Sequence, residues 1–131
     1  MELKNKRFLV IGGAGFIGSH VVAELLKHDV KEVIIYDNFA RGKMEYLTPY
    51  LSDERCKVFA DGGDIRETDV LDHAMKNIDG VFCLAALWLL HCKDYPRVAF
   101  DVNIRGFFNV LEACVNNNIQ KLVWSSSASV Y

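Results

Sequence analysis

Four glycines crowd the segment that joins a predicted strand to a predicted helix near the start of the chain. The apolar run at residues 8–11 predicts a buried strand, and the glycines follow it directly. Gly13, Gly15 and Gly18 match the spacing G-x-G-x-x-G, whereas Gly12, Gly15 and Gly18 match G-x-x-G-x-x-G. Either spacing brings backbone N–H groups and a helix N-terminus close to a bound pyrophosphate. A tight strand-to-helix turn without a ligand is the alternative interpretation.

Apolar runs of strand length alternate with stretches of helical period along the whole chain. Strands are predicted over residues 8–11, 33–36, 57–60, 81–84 and 122–124. Helices are predicted over residues 16–27, 70–75 and 96–115, with a helical turn near residues 44–51. This alternation is typical of a parallel sheet covered by helices, and right-handed crossovers favour the strand order 3-2-1-4-5. We therefore predict an α/β, doubly wound, Rossmann-type fold with its ligand crevice at the carboxyl ends of the strands.

Two of the predicted helices show one apolar face each. For the helix over residues 16–27 the face comprises Ile17, Val21, Val22, Leu25 and Leu26. For the helix over residues 96–115 it comprises Phe100, Phe107, Val110, Leu111 and Cys114. Pro96 stands at the first turn of this second helix, where the missing N–H costs nothing.

Asp37 follows the second predicted strand, 19 residues beyond Gly18. A carboxylate at this place accepts hydrogen bonds from the ribose hydroxyls of a dinucleotide. It also repels a 2′-phosphate and so favours NAD over NADP. The nearby Arg41 suits a 2′-phosphate or is a solvated loop residue. The glycine turn and Asp37 together predict NAD as the cofactor.

The charge balance and the cysteines exclude several classes of function. Fifteen Lys and Arg stand against seventeen Asp and Glu, for a formal net charge of −2, and no basic block is present. This argues against nucleic acid and membrane as partners. The four cysteines form no C-x-x-C and predict small buried residues rather than a metal site. With no secretory leader at the amino terminus, we expect one cytoplasmic domain.

Six segments, taken together, resemble the extended short-chain dehydrogenase/reductase superfamily. They are residues 12–18, 37–39, 63–66, 84–86, 102–106 and 125–131. Within the superfamily they are most similar to the NAD-dependent epimerase/dehydratase family, and there to nucleotide-sugar epimerases of the UDP-glucose 4-epimerase type. The resemblance implies an NAD-binding Rossmann domain over residues 1–131. The last strands of the sheet and the substrate domain would lie beyond residue 131.

The resemblance also implies which residues hold the cofactor. From the pyrophosphate through the adenosine ribose to the adenine, the set is Gly12, Gly15, Phe16, Ile17, Gly18, Asp37, Asn38, Asp64 and Ile65. Towards the nicotinamide ribose the set continues with Leu84, Ala85, Ala86, Asn103 and Ser125. Plainer interpretations stay open for three of these places. Asp64 could instead be an acidic residue at a helix N-terminus. Asn103 could be an exposed polar residue in the middle of a helix, and residues 84–86 could be a strand end with small residues for packing.

In the family, Ser127 corresponds to the serine that hydrogen-bonds the reacting sugar hydroxyl. A small hydroxyl suits this role because it can donate and accept as the alcohol becomes a ketone. Three serines at a strand end are otherwise typical of a polar loop. The family's general base is the tyrosine of a Tyr-x-x-x-Lys pair, and the 131 residues contain no such pair. We therefore expect the chain to be the cofactor-binding part of a longer enzyme and to be inactive alone.

The resemblance implies an NAD-dependent nucleotide-sugar 4-epimerase, which oxidises C4 of the sugar and returns the hydride to the other face. Relatives that dehydrate or decarboxylate sugars carry a glutamate in the pair after the catalytic serine, where this chain has Ala128 and Ser129. A reductase or dehydrogenase of another small carbonyl compound, or an inert NAD-binding module, shares every cofactor motif. The substrate expected is a nucleotide sugar, UDP-linked, and the family's dimers imply a homodimer through the helix that begins at Pro96.

One segment departs from the family pattern. After residues 84–86, where these epimerases often carry small or polar residues, the chain has the bulky apolar loop 87–91. Trp88 in this loop suits either the core or the face of a sugar. His91 is expected to be a loop histidine rather than a base.

Overall fold

The computed structural model describes residues 1–127 of the chain. Within them, five parallel strands form one sheet: β1 (Arg7–Ile11), β2 (Glu32–Tyr36), β3 (Cys56–Val58), β4 (Gly80–Cys83) and β5 (Lys121–Trp124). The strand order is β3-β2-β1-β4-β5, and every neighbouring pair is parallel. The predicted doubly wound fold and its order 3-2-1-4-5 are therefore confirmed. Strand bounds differ from the prediction by at most two residues.

Helices connect the strands on both faces of the sheet. They are α1 (Phe16–Leu26), α2 (Thr68–Ala74), α3 (Leu89–Asp94), α4 (Pro96–Ala99) and α5 (Phe107–Asn116), with a 3₁₀ turn at Met44–Tyr46. The segment Phe100–Gly106, between α4 and α5, is π-helical. The long helix predicted from Pro96 is thus one continuous helix with a π-helical middle. Helix α3 lies where the sequence predicts an apolar loop, so that expectation was wrong.

Residues of the central strands alternate between the two faces of the sheet, as the two-residue period of a strand requires, whereas the edge strand β5 is largely exposed. Val10 and Ile35 pack with Val22 and Leu25 of α1 on one face. On the other face the buried cluster joins β1 and β4 to α2 and α5 and includes Leu9, Ile11, Leu71, Val81 and Val110. Because both faces are covered around β1, the carboxyl ends of β1, β2 and β4 are held rigidly at one edge of the sheet.

Three residues assigned to buried helix faces are exposed instead. Ile17 is 62% exposed because the first turn of α1 extends past the carboxyl end of the sheet. Phe100 is 55% exposed and Leu111 is 38% exposed. The i→i+5 bonding of the π-helical segment rotates the preceding residues away from the period of an α-helix. The π-helical segment thereby places Phe100 on an outward stripe with Ile104 and Phe108, and the α-helical period of α5 continues this stripe through Leu111 and Val115.

The four cysteines are free thiols. Cys56 and Cys83 are buried, as predicted, whereas Cys92 and Cys114 are half-buried. Burial raises the pKa of the Cys83 thiol to about 11 and that of Cys114 to about 11. Both thiols are therefore uncharged near neutral pH and poor nucleophiles.

Candidate functional site

Gly12 opens the turn that follows β1 and adopts a φ of +80°. Its N–H donates to the carbonyl of Tyr36 at the end of β2, at 2.8 Å. A Cβ at Gly12 would lie 2.9 Å from the backbone nitrogen of Ala85, just after β4. The turn therefore lies between the ends of β2 and β4, at the point where the strand order reverses, and its first position accepts only glycine.

Gly18 and Gly15 serve the same turn in different ways. A Cβ at Gly18 would lie 2.1 Å from the carbonyl oxygen of Gly12, so α1 packs directly on the turn. A Cβ at Gly15 would meet only that same oxygen, at 3.2 Å. Gly15 also precedes α1 with no side-chain cap. The first N–H groups of α1 thus lack a side-chain acceptor and lie beside an open side of the turn, which fits a diphosphate.

Asp37 is half-buried at the end of β2 and contacts the glycine turn. Its Oδ2 accepts the N–H of Ala14 at 2.9 Å, and its Oδ1 accepts the N–H of Phe39 at 2.8 Å. Each carboxylate oxygen has a second lone pair. Asp37 is therefore oriented by the backbone and keeps acceptor capacity for a ribose hydroxyl.

Asp64 and Asn38 form a second polar group next to Asp37. Asp64 accepts hydrogen bonds from the Arg66 guanidinium, with Nη2 to Oδ2 at 2.6 Å. The hydrogen bond from Arg66 is the largest of the effects that hold the pKa of Asp64 below its ordinary value, and a hydrogen bond from Asn38 adds to it. Helix α2 begins only at Thr68. Asp64 therefore orders its own turn rather than capping that helix.

The other residues implied by the family resemblance line the same edge of the sheet, with one restriction. Phe16 and Ile17 are exposed at the start of α1, by 69% and 62%. Leu84 continues the pairing of β4 by donating its N–H to the carbonyl of Ile11 at 2.9 Å. Ile65 is only 3% exposed and packs in the core. Any ligand contact of Ile65 is therefore limited to its main chain.

Asn103 lies in the π-helical segment and binds the chain after β4. Its Oδ1 accepts the N–H of Leu87 at 2.7 Å, and its Nδ2 donates to the carbonyl of Leu87 at 3.0 Å. The plainer expectation of an exposed helix position is wrong, because the side chain is half-buried against Leu87. Asn103 therefore fixes the strand end from which residues 84–86 project.

Replacing Asn103 by alanine should lower the free energy of unfolding by about 1–3 kcal/mol, because the Leu87 N–H loses its acceptor and the Leu87 carbonyl keeps only the weak thiol donor of Cys92, at 3.4 Å. Amide hydrogen exchange at Leu87 should become faster. Thermal unfolding and hydrogen exchange followed by mass spectrometry measure the two effects. Asn116→Ala is the matched control, since Asn116 is an exposed residue of α5, and an equal loss in both variants would contradict this role of Asn103.

The serines after β5 stand at the same edge of the sheet. Ser125 donates its N–H to the carbonyl of Cys83 at 3.3 Å, which continues the pairing of β5 with β4. Ser125 and Ser127 are both exposed. Ala128 and Ser129, from which the sequence argues against a dehydratase, lie outside the described residues.

Two glycines that the sequence does not assign to the site shape it. A Cβ at Gly63 would lie 2.0 Å from the carbonyl oxygen of Asp37, and one at Gly42 would lie 2.8 Å from its Oδ1. The N–H of Lys43 also donates to the carbonyl of Ala14 at 2.9 Å. The segment after Asp37 thus packs against the glycine turn. The only sequence signal for this packing is the small residue at each position.

The described residues form neither a metal-binding cluster nor a membrane-spanning helix. In residues 1–127 no three His, Cys, Asp or Glu side chains are grouped closely enough to hold a metal ion. None of the helices in this part of the chain combines the length and apolar character needed to cross a membrane.

Two similar proteins illustrate the sequence relationship. The bifunctional protein GAL10 of Candida maltosa is 37% identical over 133 residues, covering 95% of this chain and 83% of that protein. The UDP-glucose 4-epimerase of Rickettsia akari is 35% identical over 133 residues, covering 97% of this chain. The chain spans only 38% of the length of that epimerase.

Two solved structures illustrate the structural relationship. The UDP-N-acetylglucosamine 4-epimerase from Methanobrevibacter ruminantium M1 has a TM-score of 0.86 at 40% identity, covering 98% of this chain and 40% of the other. A dTDP-glucose 4,6-dehydratase from Streptomyces venezuelae, solved with NAD bound, has a TM-score of 0.82 at 30% identity. The match covers 88% of this chain and 38% of the dehydratase. The profile of the 3-beta hydroxysteroid dehydrogenase/isomerase family matches residues 9–131. With its epimerase relatives and its motifs, the chain therefore belongs to this family, among the NAD-dependent epimerases and dehydratases of the extended short-chain dehydrogenase/reductase superfamily.

Proposed function

We propose that the chain is the NAD-binding part of an NAD-dependent nucleotide-sugar 4-epimerase with a UDP-linked substrate. The observation that carries the proposal is the position of Asp37, whose carboxylate lies at the end of β2 and bonds the glycine turn at Ala14. Relatives named as 4-epimerases of UDP-glucose and UDP-N-acetylglucosamine support the substrate class.

In this proposal the residues divide along the length of the cofactor. The turn at Gly12, Gly15 and Gly18, with Phe16 and Ile17, lies along the diphosphate. Asp37 and Asn38 hold the adenosine ribose, and Asp64 with the main chain of Ile65 contacts the adenine. Leu84, Ala85, Ala86, Asn103 and Ser125 surround the nicotinamide ribose. NAD, when bound, supplies the acceptor and donor of the hydride.

Ser127 is the proposed catalytic residue of this chain. Its hydroxyl hydrogen-bonds the reacting hydroxyl of the sugar and can donate or accept as that group is oxidised and reduced. The chain contains no Tyr-x-x-x-Lys pair to accept the hydroxyl proton. Since loss of a general base typically lowers a rate by about 10²-fold or more, we expect the 131 residues alone to bind NAD without epimerising.

A dehydrogenase or reductase of another small alcohol or carbonyl compound is the second candidate. The description of the matching family, which names a dehydrogenase activity, favours it. The two candidates differ in redox balance. An epimerase returns its hydride to the same sugar and accumulates no reduced nicotinamide, whereas a dehydrogenase accumulates one oxidation state of the cofactor.

We also propose a homodimer and a cytoplasmic location. The outward stripe of Phe100, Ile104, Phe108, Leu111 and Val115 is exposed and apolar, and such a surface suits a protein interface. Free thiols at all four cysteines suit a reducing compartment.

Native mass spectrometry of the purified chain tests the cofactor part of the proposal. We expect a mass increase equal to one NAD after addition of NAD and none after addition of NADP, because the Asp37 carboxylate repels a 2′-phosphate. An increase with NADP alone, or with neither dinucleotide, would contradict the proposal. Denatured mass of the same sample shows whether any bound dinucleotide is covalent.

A further inference from the structure

Arg41 and Trp88 join two segments that the sheet keeps apart. Arg41 follows β2 and Trp88 follows β4, and β1 lies between these two strands. The guanidinium carbon of Arg41 lies 4.9 Å from the centroid of the Trp88 ring, within the range of a cation–π contact. Since neighbouring strands are about 4.8 Å apart, the contact bridges about 10 Å across the carboxyl end of β1. The glycine turn begins at that end.

The two segments also touch the glycine turn from opposite sides. On the β2 side, Gly42 is packed against Ala14, and the N–H of Lys43 donates to the Ala14 carbonyl at 2.9 Å. On the β4 side, Ala85 lies against Gly12, where a Cβ would be 2.9 Å from its nitrogen. The contact between Arg41 and Trp88 therefore crosses the entrance to the turn.

Trp88 is positioned by residues on the β4 side of the glycine turn. Its indole Nε1 donates to Nδ1 of His91 at 3.1 Å, and the preceding residue, Leu87, is bound by Asn103. Trp88 is nevertheless 45% exposed, so its ring presents a face to solvent rather than to the core. The hydrogen bond to His91 fixes the orientation of the Trp88 ring, and the exposed ring can still hold another group against its face.

Arg41 is an exposed cation, and none of the ion pairs found in residues 1–127 includes it. Contact with an aromatic face positions a guanidinium without neutralising its charge. The charge therefore stays available to an anion, and the next residue, Gly42, packs against Ala14 in the turn that leads into α1, where Gly15 offers no side-chain cap. A group with two adjacent negative charges matches this arrangement better than a single phosphate.

We infer that Arg41 binds the diphosphate of the dinucleotide and that Trp88 holds its guanidinium across the glycine turn, which slows release of the cofactor. The inference rests on the proposed NAD site. It assigns Arg41 to the diphosphate rather than to a ribose 2′-phosphate, because Trp88 draws the guanidinium towards β4. The ribose end of the site is occupied by the Asp37 carboxylate.

Calorimetric titration and displacement kinetics with NAD, ADP-ribose and NADP test the inference on the purified chain. For Arg41→Ala we expect affinity for NAD and ADP-ribose to fall by about tenfold, which corresponds to about 1.4 kcal/mol. Most of the change should be faster release. The salt dependence of binding should become weaker, since one cation is lost. For Trp88→Leu we expect a smaller loss in the same direction, and for the double variant no further loss beyond Arg41→Ala.

Two further variants keep the result interpretable. Trp88→Phe retains an aromatic face and should bind NAD more tightly than Trp88→Leu, and the unfolding midpoint of each variant shows whether it folds. Arg97→Ala removes an exposed cation of α4 and should bind NAD like the unmodified chain. If folded Arg41→Ala binds and releases NAD like the unmodified chain, or loses affinity for NADP only, the inference is overturned and the proposed function is not. Failure of the unmodified chain to bind NAD would overturn the proposed function and this inference with it.

Discussion

Gly18→Ala should destabilise the chain and abolish NAD binding, although alanine is the better helix former. The added Cβ would lie 2.1 Å from the Gly12 carbonyl oxygen and 2.7 Å from the Gly13 Cα, and both are backbone atoms that cannot rotate away. Helix propensity favours the alanine by about 1 kcal/mol. Overpacking typically costs about 1–3 kcal/mol and occasionally more, and contact with backbone atoms that cannot move places this case at the upper end. We therefore expect the free energy of unfolding to fall by at least about 2 kcal/mol.

Denaturant unfolding followed by circular dichroism measures this change, and calorimetry with NAD measures the loss of binding. Gly15→Ala is the matched control because its Cβ would meet only the Gly12 oxygen, at 3.2 Å. We expect Gly15→Ala to lose no more than about 1 kcal/mol of stability. Its NAD affinity should still fall, since the new methyl group occupies the open side of the turn. Equal stability losses in the two variants would refute the separate roles assigned to these glycines.

The sheet was predictable because its signals are local and its topology has few alternatives. Each strand coincides with an apolar run, buried in β1, β2 and β4 and largely exposed in the edge strand β5, and the handedness of crossovers leaves one common order for five such strands. The turn at Gly12 and the carboxylate at Asp37 follow their strands directly. Their meeting at one edge of the sheet therefore follows from the order of the strands, and the hydrogen bond from Ala14 to Asp37 confirms that they meet.

What the sequence did not reveal depends on contacts between segments distant in the chain. Asn103 and Leu87 are 16 residues apart, and their two hydrogen bonds have no counterpart in a periodic pattern. The π-helical segment has no sequence signature comparable to a cap, yet it turns Phe100 out to solvent. The contact between Arg41 and Trp88 likewise exists only because the sheet brings the ends of β2 and β4 to the same edge.

Asp37→Ala should lower the affinity of the chain for NAD by about 100-fold. Hydrogen bonds to a charged group contribute about 1.5–3 kcal/mol each, and a loss of about 2.7 kcal/mol corresponds to a factor of 100. The change also removes the acceptor of the Ala14 and Phe39 N–H groups, at 2.9 Å and 2.8 Å. The glycine turn therefore loses its side-chain hydrogen bond to the residue that follows β2. The free energy of unfolding should fall together with the affinity for NAD.

Asp37→Asn removes the charge and keeps one of the two backbone hydrogen bonds, because an amide has a single acceptor oxygen for the Ala14 and Phe39 N–H groups. We expect weaker binding of NAD together with improved binding of NADP, since the repulsion of the 2′-phosphate is gone. The ratio of the two dissociation constants, measured by calorimetry, should shift towards NADP by at least about tenfold. Asp29→Asn, an exposed carboxylate beyond the far end of α1, should leave the ratio unchanged. A folded Asp37→Asn variant with the unmodified ratio would show that this carboxylate does not face the ribose, and the selection of NAD would then have to come from another residue.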